Sequence, residues 1–316
     1  MPPQLLLLIG IGSVQFGAAF AAKLFDQAGP AGVVLLRLTF AALVLVALTR
    51  PRLAGRSRRD LVTVAGFGLV MACMNWSFYE SAHRLPLGVA VTVEFIGPLG
   101  VAVAGSRRLL DLVWVTLAGT GVALLALGGS HQRLNPAGLV LAAMAGACWA
   151  AYILLSQRIG SRFAGLDGLE IAMVLATVLM VPAGVVQGGA ALLRPGVLLG
   201  GCCVAVLSTL IPYSLEIISL RRLAASDFGL LMSLEPAVAA LAGILVLGQH
   251  PQLRTAVAIV AVVVASAGTT LEAARAGAGR ATGRAAGQSG EQPPGQVTDR
   301  PAPGPEPAEP RTTPLG

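Results

Sequence analysis

The chain is 316 residues long, 55% hydrophobic and only 12% charged, with a mean hydropathy of +0.77. A soluble globular domain carries about 25% charged residues, so the composition excludes that class and points to a protein that lives in a bilayer. The formal net charge of +7 raises the question of a polyanionic partner, which the placement of the charges answers.

Apolar stretches close to the ~20 residues that cross a bilayer recur at 4–22, 31–48, 61–79, 88–104, 110–128, 137–155, 169–187, 197–217, 228–247 and 253–270. This is the pattern of an all-α integral membrane protein with ten transmembrane helices. Ahead of the first span, Met1-Pro2-Pro3-Gln4 lacks the positive charge of a secretory leader, so that span is read as retained. Take the N-terminus as cytoplasmic. The loops Arg50–Arg59, Arg107–Arg108, Arg158–Arg162 and Arg221–Arg222, with the tail, then hold sixteen basic residues on the inner side. Five lie outside: Lys23, Arg84, Arg133, Arg194 and Arg254. Such asymmetry sets orientation. Both termini are expected inside, and the basic balance needs no nucleic acid.

The four cysteines, Cys73, Cys148, Cys202 and Cys203, fall within spans without metal-ligand spacing, and are read as small packing residues with no metal. After Leu271 the chain turns rich in Gly, Ala, Pro and Arg, with eight of its twenty prolines beyond Gln292. Residues 272–316 are therefore expected to form a disordered cytoplasmic tail.

The membrane part reads as two halves, 1–130 and 131–271. His83–Arg108 (HRLPLGVAVTVEFIGPLGVAVAGSRR) and Arg221–Gln249 (RRLAASDFGLLMSLEPAVAALAGILVLGQ) share an order of features. Each has a basic-Leu turn, an apolar run, a lone glutamate, a proline and a Gly-containing exit. Glu94 then corresponds to Glu235, and the fourth span to the ninth. Five helices per half is an odd number, so the second half enters the membrane inverted. Inverted repeats give two near-equivalent arrangements around a central site, as alternating access requires.

Three charges lie well inside spans: Arg37, Glu94 and Glu235. A charge at helix centre costs roughly 2.5–3.5 kcal/mol on insertion scales, so it normally faces a cavity or a partner. Arg37 and Glu94 each sit six residues into a span running inward, roughly 9 Å below the outer edge at ~1.5 Å per residue. Together they can hold a zwitterion, Arg37 on its carboxylate through a planar fork and Glu94 on its ammonium group. The bland alternative is a static ion pair joining the second and fourth spans. Pro98 has no N–H, so the carbonyl of Glu94 loses its helical partner. Gly97 loosens the backbone beside it, and a helix break or a packing kink is expected there. Pro236 follows Glu235 directly and pushes it from helical geometry, a second expected break. Gln15, Asn75, Trp76, Tyr79, Trp149 and Tyr213 are candidate lining groups, with membrane-interface placement as the alternative for the aromatics.

The chain at this point resembles the drug/metabolite transporter superfamily, specifically the EamA-type proteins with ten helices in two five-helix repeats. LLRLTFAALVL (Leu35–Leu45) is similar to the family's second-helix pattern. MSLEPAVAALAGILVLGQ (Met232–Gln249) is similar to its ninth-helix signature, ending Gly248-Gln249 where the family commonly has Gly-Glu. The block Asn75–Trp114, with TVEFIGPLGV followed by SRR, resembles the threonine/homoserine exporter subgroup. The resemblance implies export of small amino acids across the bacterial inner membrane, coupled to protons, with no cofactor, and it allows a homodimer. A multidrug or lipophilic-cation efflux protein is the alternative within transport. A membrane enzyme would need clustered acidic or histidine groups, whereas His83, His131 and His250 are scattered through separate loops.

Overall fold

The computed structural model describes residues 2–49, 57–104, 109–126, 134–160, 163, 167–212, 215, 219, 222–223 and 225–289. Helices account for nearly all of them, in the order α1 (Pro3–Ala22), α2 (Phe25–Thr49), α3 (Arg58–Arg84), α4 (Leu87–Glu94), α5 (Ile96–Ala104), α6 (Leu109–Ala126), α7 (Pro136–Gly160), α8 (Asp167–Gly188), α9 (Pro195–Ala205), α10 (Ala225–Met232), α11 (Glu235–Leu247) and α12 (Leu253–Ser289). A 3₁₀ turn at Gly189–Leu193 links α8 to α9, and a π-turn at Val206–Leu210 continues α9. Among the described residues, eight helices are long and apolar enough to cross a membrane. The shorter apolar helices Val113–Leu124 and Pro195–Leu210 stand at the fifth and eighth expected spans.

Local chemistry sets the helix ends. Ser57 and Asp60 form a reciprocal capping box at the start of α3, with Asp60 N–H donating to Ser57 Oγ at 3.2 Å, which satisfies donors that a helix start leaves open. Asn135 Oδ1 accepts from the N–H groups of Ala137 and Gly138. Pro136 beside it fills a first helical position, where its missing N–H is harmless. At the other end of α11, Gly248 takes a left-handed conformation with φ 65°, the usual glycine stop. Within α2, Gly29 has φ 66° and ψ 157°, a kink that Pro30 enforces. The Ala31 N–H donates instead to Gln187 Oε1 of α8 at 2.8 Å.

Alanine is the commonest apolar residue of the interior, beside larger side chains such as Phe67, Tyr79 and Leu87, and large apolar side chains such as Val62, Leu69, Val140, Val178, Leu199 and Val260 are exposed on the outside. A water-soluble protein rarely shows so much apolar surface, whereas a bilayer makes it harmless. With little hydrophobic drive between helices in lipid, close backbone approach holds the bundle together. α3 packs against α7 and α8, α2 against α8 and α9, α4 against α7 and α11, α5 against α7, and α1 against α11 and the π-turn. The chain divides into a unit Met1–Arg275, which carries every candidate site residue, and a second unit Ala276–Gly316. α12 continues past Leu271 to Ser289, and residues 290–316 of the expected disordered tail lie outside the described residues.

Candidate functional site

Glu94 is the last residue of α4. Phe95 forms a one-residue turn, and α5 begins at Ile96. Gly97 and Pro98 thus occupy the first turn of α5, where a proline is tolerated, and the ladder resumes with Leu99 N–H donating to the Phe95 carbonyl. The break comes just ahead of the proline that makes it. Gly97 has a further task, because a Cβ there would overlap the Gly146 carbonyl oxygen of α7. In turn, a Cβ on Gly146 would stand 2.6 Å from the Glu94 carbonyl oxygen. The freed carbonyl therefore lies against a bare α7 backbone. Trp149 braces the turn edge-on to Phe95, with ring centroids 5.6 Å apart.

Arg37 sits half-buried on α2 with three of its nitrogens engaged. Nη1 donates to the Tyr79 hydroxyl at 3.1 Å, Nε to Thr209 Oγ1 at 3.3 Å and Nη2 to the Ser208 carbonyl at 3.4 Å. Tyr79, itself 1% exposed and held edge-on by Phe25, serves Arg37 and does not form an open wall. The guanidinium is close enough to attract the Glu94 carboxylate, yet the two form no ion pair. Among the described residues the Glu94 carboxylate has no hydrogen-bond partner.

α4 and α11 run side by side in opposite directions. A Cβ on Gly243 would stand 3.6 Å from Leu87 Cβ, and one on Gly88 would stand 2.8 Å from Ala240 Cβ. Continuing that antiparallel register brings Glu94 level with Glu235. Glu235 is buried and opens α11, with Pro236 after it and a turn at Ser233–Leu234 before it. A carboxylate in a first helical turn complements the helix dipole. The ninth span is therefore interrupted where the fourth is, with one glutamate at each break.

The remaining candidates are scattered around this layer. Asn75 is buried one turn before Tyr79 and donates to the Met71 carbonyl of its own helix at 2.9 Å. The Gln15 Oε1 and Trp76 Nε1 atoms are buried with no hydrogen-bond partner among the described residues. Tyr213 lies outside the described residues. Among the described residues, no group of three or more His, Cys, Asp or Glu side chains could hold a metal ion.

Residues 136–271 match the EamA-like transporter family. The chain is 43% identical over 270 residues to the threonine/homoserine exporter RhtA of Salmonella typhimurium strain SL1344, covering 85% of this chain and 91% of that protein. It is 42% identical, with the same coverage, to RhtA of Escherichia coli K12. The chain belongs to the EamA-like transporter family. It is a transmembrane transporter, and its relatives are exporters, not enzymes. A crystal structure of a protein 18% identical matches the fold with a TM-score of 0.58, covering 85% of this chain and 98% of that one.

Reading the sequence of this EamA-like transporter misses several groups. Glu80 reads as a solvated helix end, but it is 3% exposed. It is paired with Arg84 and accepts from Gln187 Nε2 at 2.6 Å. Gln187 so joins the α2 kink to α3, and only the proline at position 30 hints that an outside acceptor is needed. Glu170 is 1% exposed near the start of α8, and among the described residues neither carboxylate oxygen has a hydrogen-bond partner. Ile159 and Phe163 crowd the neighbouring Gly168, a cover that helix position alone does not reveal. Ser208 and Thr209 carry no sequence signal except Pro212 shortly after them.

Proposed function

We propose that the protein exports threonine, homoserine or similar small amino acids across the bacterial inner membrane, driven by protons. In this reading residues 1–130 and 131–271 are inverted five-helix halves, with both termini cytoplasmic. Exchanging the halves turns first span into sixth, second into seventh, third into eighth and fourth into ninth. The packing is consistent with that exchange. The third span lies on the sixth as the eighth lies on the first, while the second lies on the seventh and the fourth on the ninth. The arginine asymmetry of the loops supports the orientation.

The observation that carries the substrate class is the open pair of Arg37 and Glu94. A guanidinium with N–H groups to spare suits a carboxylate, and an unpartnered carboxylate beyond it suits an ammonium group or a proton. An α-amino acid bears both complementary charges on one carbon. The names of the relatives, threonine/homoserine exporter, agree with that chemistry. A lipophilic cation would be repelled by Arg37.

The test is uptake of labelled threonine and homoserine into proteoliposomes under an imposed pH gradient, for wild type and Glu94→Gln. Gradient-driven accumulation by wild type, lost in the variant, is the expected result. Folded wild type that moves neither amino acid under any gradient would end this reading.

A further inference from the structure

The eighth span carries a discontinuity of its own. α9 passes into the π-turn Val206–Leu210, closed by Ile211 N–H on the Val206 carbonyl, and Pro212 follows. In an α-helix the N–H of residue 212 would bond the Ser208 carbonyl; in a π-turn it would bond that of Leu207. Proline has no N–H, so neither carbonyl receives that bond. Two other spans supply replacements. The Ser13 hydroxyl of α1 donates to the Leu207 carbonyl at 2.6 Å, and Arg37 Nη2 of α2 donates to the Ser208 carbonyl at 3.4 Å. Thr209, next in the turn, accepts from Arg37 Nε. Gly17 permits the approach, since a Cβ there would overlap Ser208 Oγ and stand 3.0 Å from Leu207 Cβ.

We infer that Ser208 and Thr209, presented by the proline-made π-turn, are positioning residues that aim Arg37 at the substrate carboxylate and so set the preference for carboxylate-bearing amines. The inference rests on the role proposed above for Arg37. A guanidinium has five N–H groups. The turn and Tyr79 engage one on each nitrogen, which leaves one on each terminal nitrogen for a bidentate carboxylate. A long side chain held this way loses little further freedom when substrate arrives, so its hydrogen bonds appear as affinity.

The experiment compares Pro212→Ala, which returns an N–H to the helix, and Thr209→Val, which removes the Nε acceptor at similar volume, with Thr209→Ser as the rescue. KM and maximal rate are measured for labelled threonine, together with competition by 1-amino-2-propanol, which is threonine without its carboxylate. In the first two variants KM for threonine should rise about tenfold, the worth of one hydrogen bond to a charged group, with the maximal rate largely kept. Preference for threonine over the amino alcohol should fall by a similar factor, and Thr209→Ser should restore it. A lower maximal rate with unchanged preference would mean a structural role only and would overturn the inference. A second readout needs no transport: modification of Arg37 by phenylglyoxal, followed by mass spectrometry, should be several-fold faster in Pro212→Ala. An unchanged modification rate also overturns the inference. If wild type moves no amino acid, the transport reading fails, and the modification rate alone decides the positioning.

Discussion

Replacing Gly97 by alanine separates a backbone contact from a flexible hinge as the reason for a glycine beside Glu94. The new Cβ would overlap the Gly146 carbonyl oxygen and stand 2.6 Å from its carbon and 3.0 Å from its Cα. Carbon atoms rest at about 3.5 Å, so α5 and α7 would have to part by roughly 1 Å. Forcing an extra carbon into a packed interior costs about 1–3 kcal/mol. At about 2–4 °C per kcal/mol for a larger domain, the unfolding midpoint should fall by ~5 °C. Gly100 lies one turn further along the same helix with open space around its Cβ position. Alanine there should stabilise by about 0.5–1 kcal/mol, because glycine loses more freedom on entering a helix. The assay is thermal unfolding in detergent with a thiol-reactive dye, which reads the half-buried Cys73, Cys148 and Cys202 as the bundle opens. The two variants should shift in opposite directions, and Gly97→Ala should also raise KM for threonine. Shifts of the same sign, or a Gly97→Ala protein with unchanged midpoint and KM, would refute the reasoning.

Arg37→Lys keeps the charge but not the fork, and a lysine cannot engage Tyr79, Thr209 and Ser208 together while meeting a carboxylate in two places. Its KM for threonine should rise about tenfold or more, measured in the same proteoliposomes. Gln249 Oε1 accepts from the Leu87 N–H at 3.0 Å and caps the start of α4. Gln249→Glu keeps an acceptor and should leave the unfolding midpoint unchanged, whereas Gln249→Leu should destabilise by about 1 kcal/mol. Ser57→Ala removes one arm of the α3 capping box and should cost about 1 kcal/mol in unfolding, with threonine KM unaltered because the cap is remote from Arg37.

Where an effect is local, the sequence carried it. The apolar spans and the breaks beside Pro98 and Pro236 follow from length and from the missing N–H of proline. The α4–α11 register adds that Glu235 is level with Glu94. Effects that depend on a distant partner were not legible. Glu80 is hidden because Gln187, 107 residues away, reaches it, and Tyr79 is committed to Arg37 across 42 residues. Gly97 was legible as a weak point in a helix but not as a contact, because Gly146 belongs to another span.

The prolines at positions 30, 98, 212 and 236 have a consequence for how the molecule is made. A missing N–H is covalent, so these interruptions exist before any helix meets a neighbour. Spans two, four, eight and nine enter the bilayer already carrying exposed carbonyls in hydrocarbon, where each unsatisfied group is costly. The Leu207 and Ser208 carbonyls find Ser13 and Arg37, and the Ala31 N–H left by the kink at Pro30 finds Gln187. Each repair joins α1 or α2 to α8 or to the π-turn after α9. The broken helices cannot complete their own backbones at these points, so the need for repair draws helices far apart in the chain together during assembly.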